Sequence, residues 1–221
     1  MIPRPSILAV LVLYFHKLNP FSTQKNQKQK RDTLSLWGKV LIATVPAGII
    51  GLLFEEKINA LFYNPTTVAI TLIVYGVGFI VVESQKRKGR IRSFAQMSAR
   101  TAALIGVFQV LALIPGTSRS GATILGAVML GCTRTVAAEF SFFLAIPVML
   151  GASGLKLIKY ADLLVGPQLL TLLVGTVVAF VVSLFAIRFL MKFIQTHTFK
   201  PFGYYRIVLG VAVLLYFYVL A

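Results

Sequence analysis

The sequence predicts an all-α, polytopic membrane protein, and three observations carry that prediction. Of 221 residues, 57% are hydrophobic, and the mean hydropathy is +0.85; soluble domains are about 45–50% apolar. The apolar residues fall in long blocks rather than in short alternating runs. The net charge of +16, from 22 Lys and Arg against 6 Asp and Glu, gathers between those blocks. The length suits a single integral membrane domain over 1–221.

The first apolar piece, ILAVLVLYF at 7–15, is short and follows Pro3, Arg4 and Pro5. A crossing needs roughly 20 residues, so this piece reads as a truncated first helix. No small-residue cleavage site follows it, which argues against a signal peptide. Full spans are expected at 40–54, 66–82, 137–155, 163–187 and 204–220, giving about six transmembrane helices.

Loop charges orient the spans. Lys17, Lys25, Lys28, Lys30, Arg31 and Lys39 fall in 16–39, and Lys86, Arg87, Lys88, Arg90, Arg92 and Arg100 in 83–100. Arg188, Lys192, Lys200 and Arg206 fall in 188–206. The stretch 55–65 has only Lys57 beside Glu55 and Glu56, and 156–162 has Lys156 and Lys159. The three basic stretches are expected on the cytoplasmic side, and the other two and the C-terminus outside.

This topology makes 101–132 enter and leave on one side. Two crossings need roughly 40 residues, more than that stretch contains. A re-entrant helical hairpin at 101–132 is therefore expected, with its break at Pro115 and Gly116. Irregular backbone at that depth has to be buried in protein or line a cavity.

The stretch LIPGTSRSGATILGA at 113–127 holds the break. Proline disfavours helix at the residue before it, and glycine permits the turn that follows. Ser118 or Ser120 can cap the second half-helix, whose first-turn N–H groups then present the positive end of the helix dipole. Arg119 adds a permanent charge and a planar fork of donors suited to phosphate oxygens. Ser118, Ser120 and Thr123 add hydroxyls, and Gly116 and Gly121 allow close backbone approach. Together they predict an anion site of the broken-helix kind.

Structural roles compete with this. Gly116, Gly121, Gly126 and Gly131 can serve close helix packing. Arg119 can instead pair with Glu139, a carboxylate one turn inside a span, which is expected to orient Arg119 or to tie helices together. Arg134 reads as an interfacial charge, and His16 and His197 as solvated interface groups. Cys132 reads as a packed thiol. The charges lie between apolar blocks rather than along an amphipathic face, which excludes nucleic acid as a partner.

PGTSRSGAT (115–123), CTRTVAAEFSFFLAIPVMLGAS (132–153) and the closing FKPFGYYRIVLG resemble the undecaprenyl-diphosphate phosphatase family, also called bacitracin-resistance proteins. The resemblance covers essentially the whole chain. It implies a bacterial inner-membrane enzyme that converts undecaprenyl diphosphate to undecaprenyl phosphate, the lipid carrier of peptidoglycan precursors, and so confers bacitracin resistance. It implies an inverted repeat with two re-entrant hairpins and a site open to the outer face. It assigns catalytic importance to Ser118, Arg119 and Thr123, with the arginine holding phosphate. The family also uses an N-terminal segment with paired glutamates and a Ser-Ser-Thr-Gly-His run. That run does not occur in this sequence, which is read as starting within the helix that would follow. A lipid-phosphate or anion transporter without chemistry, or an inactive remnant, is the alternative. A divalent cation, magnesium or calcium, could help to hold a diphosphate, although no carboxylate cluster is visible to bind it. A homodimer is compatible with this reading.

Overall fold

The structure, a computed structural model, describes residues 6–85, 89–159 and 167–220. The basic run Lys86, Arg87 and Lys88, the stretch 160–162 and the first residues of the span expected from 163 lie outside the described residues, as do Pro3, Arg4 and Pro5.

The short first piece forms α1 (Ser6–Leu13), about 12 Å long at 1.5 Å per residue, against a bilayer core of about 30 Å. Its Ile7, Ala9 and Val10 are buried. A single turn, α2 (Phe15–Leu18), follows. Next, α3 (Gln27–Phe62) opens on a capping box: the Asn26 side chain accepts from the Gln29 N–H, and the Gln29 side chain accepts from the Asn26 N–H. It runs 36 residues, far beyond the 40–54 expected. Hydropathy marks only the part that lipid can solvate. The polar turns at either end still propagate helix, because Gln, Lys, Arg and Glu are good helix formers. Lys28, Lys30, Arg31 and Lys39, and also Glu55, Glu56 and Lys57, are thus helical residues rather than loop residues.

Asn64 accepts from the Thr67 N–H at 2.8 Å and Pro65 takes the first helical position, so α4 (Pro65–Ser84) starts sharply. Ser98 caps α5 (Ala99–Val110), which tightens into a 3-10 turn at Leu111–Leu113. After the break come α6 (Arg119–Met129), α7 (Arg134–Lys159), α8 (Pro167–Thr196) and α9 (Lys200–Leu215), the last closed by a π turn at Tyr216–Leu220. Among the described residues five helices are long and apolar enough to cross a membrane: α3, α4, α7, α8, and α9 with its closing turn. The chain is an all-α, multi-pass membrane protein. Neither α5 nor α6 is long enough to cross, and they form the hairpin expected at 101–132.

The core sits around α7, 56% of whose span is buried, against 6% for α8. Phe140, Phe143 and Leu144 are fully enclosed. Tyr14 meets Phe143 edge-on at 5.2 Å, which docks the N-terminal helices. α8 and α9 turn long apolar faces outward, as a lipid-facing surface does. α4 and α9 touch backbone to backbone: a Cβ on Gly76 would lie 2.7 Å from the Gly203 carbonyl oxygen, and the converse holds.

One expectation about charges is corrected here and another is narrowed. Arg134 is not a solitary interfacial charge: its Nε and Nη2 donate to both oxygens of buried Glu83, at 2.8 and 2.6 Å. Glu139 takes the second of its two expected roles, the helix tie: both its oxygens accept from Lys17 Nζ, at 2.8 and 2.9 Å. Its support is a tie between α7 and the N-terminal segment. Beside it, Lys25 Nζ donates to the Asn19 carbonyl and the Thr33 hydroxyl, and burial pulls the amine below its usual range. Cys132, in the turn between α6 and α7, is buried, and that burial pushes its thiol up to about 11. It is the packed thiol expected.

Candidate functional site

The break between α5 and α6 leaves a run of backbone carbonyls inside the bundle. Each has a side-chain donor from another helix. Thr71 Oγ1 on α4 donates to the Pro115 carbonyl at 2.8 Å. Arg206 Nη2 on α9 donates to the carbonyls of Gly116 and Thr117, at 2.7 and 2.8 Å. The irregular segment is thus held from two sides, and the cost of unpaired polar backbone at that depth is avoided.

Glycine at 116 is required twice over. Its φ is +85°, and a Cβ there would strike the Thr71 side chain and lie 2.6 Å from the Val68 carbonyl. Ser118 adopts a positive φ, 63° with ψ 120°, and caps α6 by accepting from the Gly121 N–H at 3.4 Å. A serine held there stores strain of about 1–3 kcal/mol, a mark of functional segments. Its hydroxyl is exposed and lies 3.3 Å from that of Ser120. Arg119 is the first residue of α6 and is half-buried. The first N–H groups of α6 have no acceptor within the helix and point back towards the break.

Arg206 was assigned to a basic loop by its sequence position. It belongs instead inside α9, two turns from its start at Lys200. Its guanidinium lies against the first turn of α6, so a Cβ on Gly121 would come within 3.2 Å of Nη1. Tyr75 supports the other side, with the guanidinium carbon 5.7 Å from the ring centre. Among the described residues no carboxylate lies within ion-pair distance of Arg206, and its Nε has no hydrogen-bond partner. The signal for it in the sequence was a single charge two turns inside an apolar helix that opens on Pro201.

These groups line part of a cavity of about 240 Å³. Ser118, Ser120, Gly121, Tyr205 and Arg206 share that lining with Phe79, Phe142, Phe199 and Phe202. Thr123 is not part of this lining. It is buried behind it, with its hydroxyl 2.7 Å from Ser141 on α7 and 3.0 Å from the Arg119 carbonyl. Thr123 holds the α6 start in place from behind. The structure thus brings Ser118, Ser120 and Gly121 to one cavity, with Arg119 and Gly116 in the adjoining backbone, and sets Thr123 and Glu139 apart.

A site of this kind suits an amphiphile with an anionic head, because fixed donors and aromatic rings share one lining. Among the described residues no three His, Cys, Asp or Glu side chains converge.

A family model described as bacitracin resistance protein BacA matches residues 1–212. Undecaprenyl-diphosphatase 1 of Clostridioides difficile is 59% identical over 215 residues, covering 97% of this chain and 78% of that protein. The undecaprenyl-diphosphatase of Acetivibrio thermocellus is 58% identical over 214 residues, covering 96% and 79%. An undecaprenyl-diphosphatase of Enterococcus faecalis is 54% identical over 215 residues, covering 95% and 78%.

Proposed function

We propose, since this chain belongs to the BacA family of bacitracin resistance proteins, that it hydrolyses undecaprenyl diphosphate to undecaprenyl phosphate and phosphate at the start of α6. The activity serves recycling of the lipid carrier for peptidoglycan synthesis in a bacterial cell membrane, and it underlies bacitracin resistance. The observation that carries the reading is the meeting of Arg206 with the α6 N-terminus in a phenyl-lined cavity. The diphosphate fits the polar groups and the first isoprene units fit the rings. Arg206, Arg119 and the first N–H groups of α6 neutralise the head group and favour the charge that develops as the anhydride P–O bond breaks. Ser118 and Ser120 donate to its peripheral oxygens. Thr123 and Glu139 act from behind, by fixing α6 and α7. By the family resemblance, the site is read as open to the outer face.

One observation favours a second reading. Among the described residues the cavity lining carries no carboxylate or imidazole to move a proton. Recognition or transport of a lipid phosphate without chemistry needs neither. The two readings share the binding step and part at phosphate release. Titration of undecaprenyl diphosphate into the purified chain in detergent should show binding that Arg119→Ala abolishes, and a phosphate assay on the same sample separates enzyme from binder. If Arg119→Ala bound as tightly as the parent with its fold intact, the anion-site reading would fail.

A further inference from the structure

We propose a second binding site, distinct from the one above, in which an anionic phospholipid of the surrounding leaflet seats its phosphate between Arg90 and Arg92 at the far end of α6. A cavity of about 1010 Å³ opens there, lined by Arg90, Arg92 and Gln96 together with Val128, Met129 and Leu130. Polar donors together with the exposed apolar end of a helix match the two halves of a phospholipid.

The loop that carries the arginines is fixed in place. The N–H groups of Arg90 and Ile91 both donate to the Gly131 carbonyl, at 2.8 and 2.9 Å, and the Thr133 N–H donates to Ile91 at 2.9 Å. Ile91 pairs with Cys132 as an isolated bridge. In this extended backbone, residues 90 and 92 fall on one side and Ile91 on the other. The Arg92 N–H donates to Gln96 Oε1 at 2.8 Å, which leaves the amide NH2 of Gln96 as a donor to the cavity. Neither guanidinium has a hydrogen-bond or ion-pair partner among the described residues.

The arginines could simply offset the negative end of the α6 dipole. The backbone argues against that. The carbonyls of Gly126, Ala127 and Val128 already accept from the N–H groups of Leu130, Cys132 and Gly131, at 3.0, 2.9 and 3.0 Å. The end of α6 is therefore closed without help from side chains, and both guanidinium groups are available to a ligand. The occupant is a lipid because the protein crosses a membrane and the exposed Met129 belongs to the same wall. Basic residues favour the cytoplasmic side, where anionic lipids lie in reach.

The test is melting of the purified chain in nanodiscs of phosphatidylcholine with increasing phosphatidylglycerol, together with native mass spectrometry of the lipids retained. The parent should gain stability with phosphatidylglycerol and keep one such lipid. Arg90→Gln/Arg92→Gln should bind it about tenfold more weakly, the scale of a lost charge-assisted contact. Lys28→Gln/Arg31→Gln removes the same charge from exposed positions of α3 and should behave as the parent. Equal losses in the two variants would reduce the effect to diffuse charge and overturn the proposal. So would stabilisation by inorganic phosphate alone with the same residue dependence. Arg90→Lys/Arg92→Lys guards against misfolding: it keeps the charge, and it should keep the phosphatidylglycerol response in part; complete retention would remove the guanidinium from the argument.

Discussion

Arg134 and Arg206 are both guanidinium groups held by more than one hydrogen bond, and they are satisfied in opposite ways. Arg134 closes on Glu83 through two donors and two carboxylate oxygens, and the Phe199 N–H joins the same carboxylate at 3.3 Å. Its charge is cancelled where it stands. Arg206 spends one nitrogen on two neutral carbonyls and keeps its net charge. The first arrangement ties α4, α7 and the start of α9 together. The second ties α9 to the break and leaves the charge of Arg206 uncancelled by its acceptors. The lesson is that an arginine's role inside this bundle is read from the charge of its acceptors rather than from its depth.

The largest effect that this comparison predicts is at Arg206. Arg206→Ala removes the charge and also leaves the carbonyls of Gly116 and Thr117 without donors. Affinity for a short-chain lipid diphosphate, read by calorimetric titration, should fall about 100-fold, which is within the range for a lost charged contact of about 1.5–3 kcal/mol. The melting temperature should fall as well. Unchanged affinity in a folded Arg206→Ala protein would erase the distinction between the two arginines.

Glu83→Gln should do the reverse. Removing one partner of a fully buried pair costs about 3–5 kcal/mol. Here the Arg134 side chain is 40% exposed, so water screens it, and about 2 kcal/mol is the expected loss of stability. Binding by the folded fraction should stay within about twofold of the parent, because the retained amide oxygen still accepts from Phe199. Denaturation in mixed micelles beside the same titration gives both numbers. A variant of full stability that no longer binds would show that Glu83 belongs to the site.

Much of the architecture was legible in the sequence because it follows from solvation. Long apolar blocks, charge between them and a Pro-Gly break too close to its neighbours for two crossings are all local facts. They gave the apolar spans, the hairpin and a cap narrowed to Ser118 or Ser120. What was hidden depends on geometry between distant residues. Nothing local pairs Arg134 with Glu83, 51 positions away, or Lys17 with Glu139, 122 away. Arg206 escaped because it fell both in the span expected at 204–220 and in the basic stretch 188–206, and it was counted with the loop charges. Thr123 was singled out for its type and spacing, but only the rotation of α6 decides that its hydroxyl faces Ser141 and not the cavity.

Thr123→Val tests that rotation. The substitution keeps the shape and removes the partner of Ser141, whose buried hydroxyl is then left with its donor unspent. The expected loss is about 1–2 kcal/mol of stability, with ligand affinity nearly unchanged. Adding Ser141→Ala should recover part of it, since removing both partners costs less than removing one. A large drop in affinity with normal stability would place Thr123 in the cavity after all.

The smallest effect, and the one that separates backbone from side chain, is at Ser118. Its φ of 63° is one that glycine adopts freely and alanine does not. Ser118→Ala loses the hydroxyl and keeps the strain, so it should lower stability by about 1 kcal/mol through the lost cap. Ser118→Gly loses the same hydroxyl but relieves the strain, and glycine caps nearly as well as serine, within a few tenths of a kcal/mol. Its greater freedom in the unfolded chain takes back about 0.5–1 kcal/mol. The glycine variant should therefore melt at or slightly above the alanine variant. Both should weaken lipid diphosphate binding equally, because the ligand meets the hydroxyl in one case and its absence in the other two. Should glycine bind markedly better than alanine, the ligand is reading the backbone of the break, and the Ser118 hydroxyl serves only to start the helix.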